Sequence, residues 1–175
     1  LGLLELIIQR GPEALEGLPK EMRKNQEAMA EAIENNVRRT IVDENPVNPK
    51  YYERMSVLLD ELIDLRRQQA ISYQEYLEKV RELAKQVKYP QSHSQSAYPE
   101  SIDTAAKRAL YDNLGKDELL VARIDTAVRY TKKADWYGDR FKEREIAFAI
   151  AEETKGYDVT VAEVMELVKA QQEYH

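Results

Sequence analysis

Apolar side chains recur along this 175-residue chain every three or four positions, and no stretch alternates over the length of a strand. A period near 3.6 gathers them on one face of a helix, and that face needs a helical neighbour to cover it. The expected fold is therefore all-α, an irregular helical bundle of about six to eight helices in two lobes. No fixed repeat length appears, which argues against a solenoid.

The pattern predicts a long helix from about Pro19 to Asp43, after Gly11-Pro12 and Gly17, with Met22, Met29, Ile33, Val37 and Ile41 on its stripe and Glu27, Glu31, Glu34, Arg38 and Arg39 elsewhere. Gln26 and Asn36 lie near the stripe, either as buried groups that set register or as boundary residues bonded to water or backbone. Asn45-Pro46-Val47-Asn48-Pro49 ends this helix and starts the next. Proline disfavours a helical residue before it and suits the first helical position, which leaves Asn48 as N-cap. Tyr52, Met55, Leu58, Leu59, Leu62 and Ile63 then keep helical spacing. Ser72-Tyr73-Gln74-Glu75 has the form of a capping box, opening a helix with Tyr76, Leu77, Val80, Leu83, Ala84 and Val87 inward. The short connection between the two predicts an antiparallel hairpin.

Tyr-Pro pairs at 89–90 and 98–99 enclose a Ser/His/Gln tract, the one long polar interruption. It divides lobes 1–90 and 99–175, with 91–98 as linker and Gln91 to Ala97 as the place where the lobes pack or swing. Beyond it, Asp103 or Thr104 is suited to cap a helix carrying Ala106, Ala109, Leu110 and Leu114, ended at Gly115. Asp117 opens the next through Leu120, Ile124, Ala127, Val128 and Thr131, and Trp136 and Gly138 mark a turn. Phe141, Ile146, Ala149 and Ile150 belong to a further helix, and Thr160-Val161-Ala162-Glu163 is a capping box for the last, with Val161, Val164, Met165 and Val168 inward.

The opening residues carry a separate expectation. Leu1, Leu3, Leu4, Leu6, Ile7 and Ile8 crowd apolar groups around two helical turns. The segment is too short for a membrane span, is interrupted by Glu5 and Arg10, and lacks the basic flank and cleavage site of a secretory signal. With no initiator Met, it reads as the start of a fragment cut from a longer chain at a packed helix.

Chemistry has little material here. Cysteine is absent and the histidines are His93 and His175 alone, which removes disulfides, thiolate metal sites and cysteine nucleophiles and leaves an imidazole metal cage or His dyad almost without ligands. Absent cysteines and signal are compatible with the cytoplasm. Ser92, His93 and Ser94 offer a nucleophile and a base without an acid or oxyanion turn, so they read as linker. Asp60, Glu61 and Asp64 put two acids on one helix face, a start for a divalent metal site, but Arg66 and Arg67 beside them favour a surface charge network. Gly115-Lys116 lacks the upstream glycine of a phosphate loop. Composition thus points away from an independent enzyme, with no catalytic, cofactor-binding or metal residue identified.

The net charge of −6 disfavours a general nucleic-acid binder, yet it comes from the ends: residues 1–44 hold 6 basic and 9 acidic groups, 45–155 hold 19 of each, and 156–175 hold 1 and 4. Within the balanced part, Arg129, Lys132, Lys133, Arg140, Lys142 and Arg144 bracket the single Trp136, among Asp135, Asp139 and Glu143. Cations around an exposed aromatic suit phosphates or a protein partner; the alternative is a solvated surface over a buried Trp anchor.

Three runs also resemble a known family: Ala32-Ile33-Glu34-Asn35-Asn36-Val37-Arg38, the stretch from Asn48-Pro49-Lys50-Tyr51-Tyr52-Glu53-Arg54-Met55 through Leu58-Leu59-Asp60-Glu61-Leu62-Ile63, and Thr104-Ala105-Ala106-Lys107-Arg108-Ala109-Leu110-Tyr111-Asp112-Asn113-Leu114. With Trp136-Tyr137-Gly138, Lys142-Glu143 and Ile146 they look like the C-terminal helical domain of the R (restriction and motor) subunit of bacterial type I restriction enzymes. The family usually has Asn after Trp-x-Gly, where this chain has Asp139. The resemblance implies a non-catalytic part of an ATP- and Mg²⁺-dependent DNA translocase and nuclease, whose catalytic residues lie outside this chain. It implies docking onto the core of methyltransferase and specificity subunits, with no membrane. Trp136, Tyr137 and Lys142 are the expected partner contacts. The alternative is a DNA-guiding element, in which Arg129, Lys132, Lys133, Arg140 and Arg144 touch the duplex being moved.

Overall fold

In a computed structural model, residues 2–11, 25–93 and 97–175 are described. The described residues form α-helices, 3₁₀ turns and connecting segments, with no strand among them. Among the described residues there are eight helices of eight residues or more: α1 Leu3–Arg10, α2 Gln26–Glu44, α3 Pro49–Arg67, α4 Tyr73–Lys88, α5 Ala105–Asn113, α6 Glu118–Thr131, α7 Arg140–Glu153 and α8 Val161–Ala170. The expectation of an all-α bundle holds. The chain divides into two compact units, Leu1–Asn45 with Tyr52–Ser94, and Pro46–Tyr51 with Gln95–His175. Pro46 to Pro49 of the Asn-Pro-Val-Asn-Pro corner, assigned by the sequence to the first lobe, belong to the second unit. Pro19 to Lys24 of the expected long helix, Met22 included, lie outside the described residues, as do Ser94 and the side chains of Ser92 and His93. Part of the expected linker is a short helix, Pro90–His93.

The first unit is built on α4, whose six predicted inward residues are all buried. Ser72 Oγ accepts the Glu75 N–H at 3.1 Å and starts the helix. Helices α1 and α2 both pack on α4 and on each other. In α1, Leu4, Ile7 and Ile8 are buried, each stabilising the unit by about 1.5–3 kcal/mol. The helix ends at Gly11 with φ +63°, a left-handed conformation that favours glycine, and a Cβ there would stand 3.1 Å from the Arg81 guanidinium. Arg81 Nε–H donates to the Ile8 carbonyl at 3.0 Å. Helix α3 runs antiparallel to α4: Tyr52 OH, near one end of α3, donates to the Val87 carbonyl at 3.4 Å, and Arg66 at its other end lies over the Tyr76 ring at 5.8 Å.

In α2, Met29, Ile33, Val37 and Ile41 are buried as expected. Glu34, placed by its charge among the outward residues, is buried too. Arg66 holds it with two parallel bonds, Nε to Oε2 at 2.8 Å and Nη2 to Oε1 at 3.0 Å, and Tyr76 OH donates to Oε2 at 2.7 Å. Asn36 donates to the Ala32 carbonyl of its own helix at 2.8 Å, and Gln26 is exposed, so neither sets register. Asp60 pairs with Arg38. No group of three or more Asp, Glu or His suited to a metal occurs among the described residues.

The second unit surrounds Ile102, Leu110, Leu120, Ile124, Val128, Trp136, Ile146, Ile150, Val164, Val168 and Tyr174. Its helices start where the sequence puts caps: Thr104 accepts the Lys107 N–H at 3.2 Å, Asp117 the Leu120 N–H at 3.0 Å, and Thr160 and Glu163 exchange both bonds of a capping box. Asp139 caps α7, accepting the N–H groups of Phe141 at 3.0 Å and Lys142 at 3.1 Å. Asn48 caps α3 through the Tyr51 N–H at 3.3 Å, and also bonds Asp112 at 2.9 Å and Asn113 at 2.7 Å, which holds the corner in this unit. Tyr98 OH donates to Asp112 as well.

Two buried phenols predict an alkaline limit. Burial, reinforced by the bond to Glu34, raises Tyr76 above the ordinary tyrosine value, and burial with the bond to Asp125 raises Tyr174. Each stays protonated in the folded chain after its unfolded counterpart has lost its proton. The stabilisation is complete below about pH 10 and declines above it, by about 1.4 kcal/mol per pH unit for each phenol. Urea titrations across that range should show the first unit losing this slope in Tyr76→Phe and the second in Tyr174→Phe; equal slopes in wild type and variants would contradict it.

Candidate functional site

The residues singled out by sequence gather in the second unit around α6, the 132–139 connection and α7. Of the two readings of Trp136, an exposed contact or a buried anchor, the structure gives the buried anchor. Its indole N–H donates to the Tyr174 carbonyl at 2.8 Å. The 3₁₀ turn Gln172–Tyr174 is seated there: Tyr174 is fully buried, its hydroxyl donating to Asp125 Oδ1 at 2.6 Å, and Gln171 donates to the carbonyls of Val47 and Leu167 at 2.8 and 2.9 Å. A large ring with a polar edge can be buried this way because the edge keeps a partner.

Most of the bracketing cations are engaged inside the fold. Arg129 pairs with Asp125 at 3.1 Å and Glu173 at 2.6 Å and lies over the Tyr174 ring at 5.1 Å. Lys132 donates to the Tyr174 carbonyl at 3.0 Å and Lys142 to the Ala134 carbonyl at 2.7 Å. Lys133 pairs with Glu145 at 3.0 Å. Arg140 and Arg144 are exposed and have no partner among the described residues. The structure therefore takes Arg129 and Lys132 out of a continuous basic face and makes them supports of the 172–174 turn. Nearby, the Lys169 ammonium, 2.8 Å from Glu143, holds that carboxyl below its usual range, while Glu143 also accepts the Gly138 N–H at 2.7 Å.

The exposed aromatics lie elsewhere on the hairpin. Tyr130 is 88% exposed, Phe141 73%, Phe148 68% and Tyr137 58%. Tyr137 is propped by Trp136 at 5.9 Å and by the His175 ring at 4.7 Å. Between α6 and α7 a shallow groove is lined by Ala122, Thr126, Ala127, Tyr130 and Ala149. Glu145 and Glu152 lie one turn to either side of Phe148; Glu145 pairs with Lys133 at 3.0 Å and Glu152 lines the groove. Phe141 lies one turn before Glu145 on that stripe. Arg123 and Glu153, at 3.6 Å, form a second pair across the hairpin.

Of the predicted partner residues, the structure presents Tyr137 at the surface and ties down Lys142 and Trp136. Sequence reading missed Tyr130 and Phe148 and took Phe141 only as a helix former. The signal was phase: Phe148 is two residues from both Ile146 and Ile150, which puts it on the face opposite theirs, and Tyr130 is two residues past Val128.

No helix among the described residues is long and apolar enough to cross a membrane. No protein-family model matches the chain, and no characterised protein or solved structure matches it either.

Proposed function

We propose that this chain is a non-catalytic assembly module of a type I restriction R subunit, docking the motor and nuclease onto the methyltransferase and specificity subunits in the cytoplasm. The observation that carries this reading is the set of aromatic side chains left in solvent on α6 and α7. Monomeric surfaces hold few large apolar groups together, and buried aromatics dominate the energy of protein interfaces. ATP and Mg²⁺ belong to the rest of the parent subunit on this reading.

The test is assembly of the full R subunit with its purified modification core. Tyr130→Ala with Phe148→Ala should weaken that assembly at least about 10-fold, as loss of two central contacts would, while the urea midpoint of the isolated chain stays in place because neither ring is buried. Full assembly by this double variant would overturn the reading. Within the 129–144 segment, a duplex-guiding role has two unpaired cations to draw on, Arg140 and Arg144. Each phosphate neutralised contributes about −0.9 to the slope of log affinity against log salt, so a slope of about −2 at most is expected. A much steeper slope, abolished by removing both arginines, would favour that role instead.

A further inference from the structure

The first unit carries a groove between α3 and α4. Leu58, Leu62, Leu65 and Leu83 line it, and Glu61, Glu78, Glu82 and Lys79 share its rim. Leu58, Leu62 and Leu65 follow one face of α3, as four- and three-residue steps require. Leu65 is 37% exposed, which leaves apolar surface open to water at the end of this row.

The rim decides what fits. Three carboxylates face one ammonium, and neither Glu61 nor Glu78 has a cation partner among the described residues, whereas Glu82 is paired with Lys85 at 3.2 Å. An apolar floor between uncompensated carboxylates repels an acidic occupant and attracts one with apolar residues on one face and lysine or arginine beside them. The row from Leu58 to Leu65 covers seven helical steps, about 10 Å along the helix axis, which about two turns of an incoming helix would cover.

The geometry points to a docking site for a short basic amphipathic helix of a partner protein. Such a helix lays its apolar side on the leucines, with residues at three- and four-residue spacing as anchors, and its cations reach Glu61 and Glu78 on the two walls. The surface lies within the first unit and would serve a partner other than the one gripped by the aromatic face.

The experiment is fluorescence anisotropy of the whole 175-residue chain with a dye-labelled 14-residue peptide of leucines on one helical face and lysines on the other. Micromolar binding is expected, and a matched peptide with glutamates for lysines should bind at least 10-fold more weakly. Leu65→Arg should weaken the lysine peptide at least 10-fold, and Glu61→Lys with Glu78→Lys by a similar factor. Lys79→Glu should tighten it several-fold. Glu100→Lys, an exposed carboxylate of the other unit, controls for total charge and should have little effect. Unchanged affinity in both the Leu65 and the double glutamate variants, with circular dichroism showing them folded, overturns the proposal. Equal binding of the glutamate peptide overturns it as well. So does a concentration-dependent dimer that Leu65→Arg abolishes, since the groove would then belong to a second copy of this chain.

Discussion

Replacing Tyr174 by alanine should destabilise the second unit by about 3–5 kcal/mol, the range for removing a fully buried aromatic ring. The ring fills the centre of that core, and its hydroxyl donates to Asp125, itself buried. The variant leaves a cavity and takes one partner from a buried carboxylate. Tyr174→Phe removes only the hydroxyl, and the loss should be about 1–3 kcal/mol, because Asp125 keeps both bonds from Arg129. Trp136 is the single tryptophan and lies in this core, so its fluorescence follows this unit alone. Urea unfolding followed by that emission should show a large shift for Tyr174→Ala and a smaller one for Tyr174→Phe. If alanine left the midpoint within about 0.5 kcal/mol of wild type, the seat of the 172–174 turn would be wrong.

The second large effect belongs to the first unit. Glu34→Ala strands the Arg66 guanidinium in a site with little water and removes the closer of the two acceptors of Tyr76, leaving the Ala30 carbonyl at 3.3 Å, which predicts a loss of about 3–5 kcal/mol. The cost arises from the unpaired charge, so removing the whole network at once should restore most of the stability. Glu34→Leu, Arg66→Met and Tyr76→Phe together replace three polar partners by apolar groups of similar size. Far-ultraviolet circular dichroism reads the loss, and Trp136 emission, which belongs to the other unit, should keep its midpoint. A triple variant no better than Glu34→Ala would refute this account of the network.

These two networks mark the boundary of what local pattern reveals. The all-α class, the helix starts at Asn48, Ser72, Asp117 and Thr160, a start at Asp103 or Thr104, and the inward residues of α4 could all be read directly. Caps act within three residues, and an apolar stripe is a property of one helix. Glu34 could not be read so, because a carboxylate is buried only if a partner 32 residues away supplies a guanidinium. The candidate site divides in the same way. Trp136 and its surrounding cations have identical neighbours in sequence whether they face solvent or hold a turn 38 residues further on.

The sequence by itself determined that this chain folds as packed helices with a polar interruption near residue 95, since spacing and capping are short-range and need no partner to be legible. Only the tertiary structure decided that Trp136, Arg129 and Lys132 face inward to the 172–174 turn, that Tyr130, Phe141 and Phe148 remain in water, and that a leucine groove opens between α3 and α4. Each of these depends on which helix covers which face, and that is settled by burial summed across the whole unit rather than by any residue's own preference.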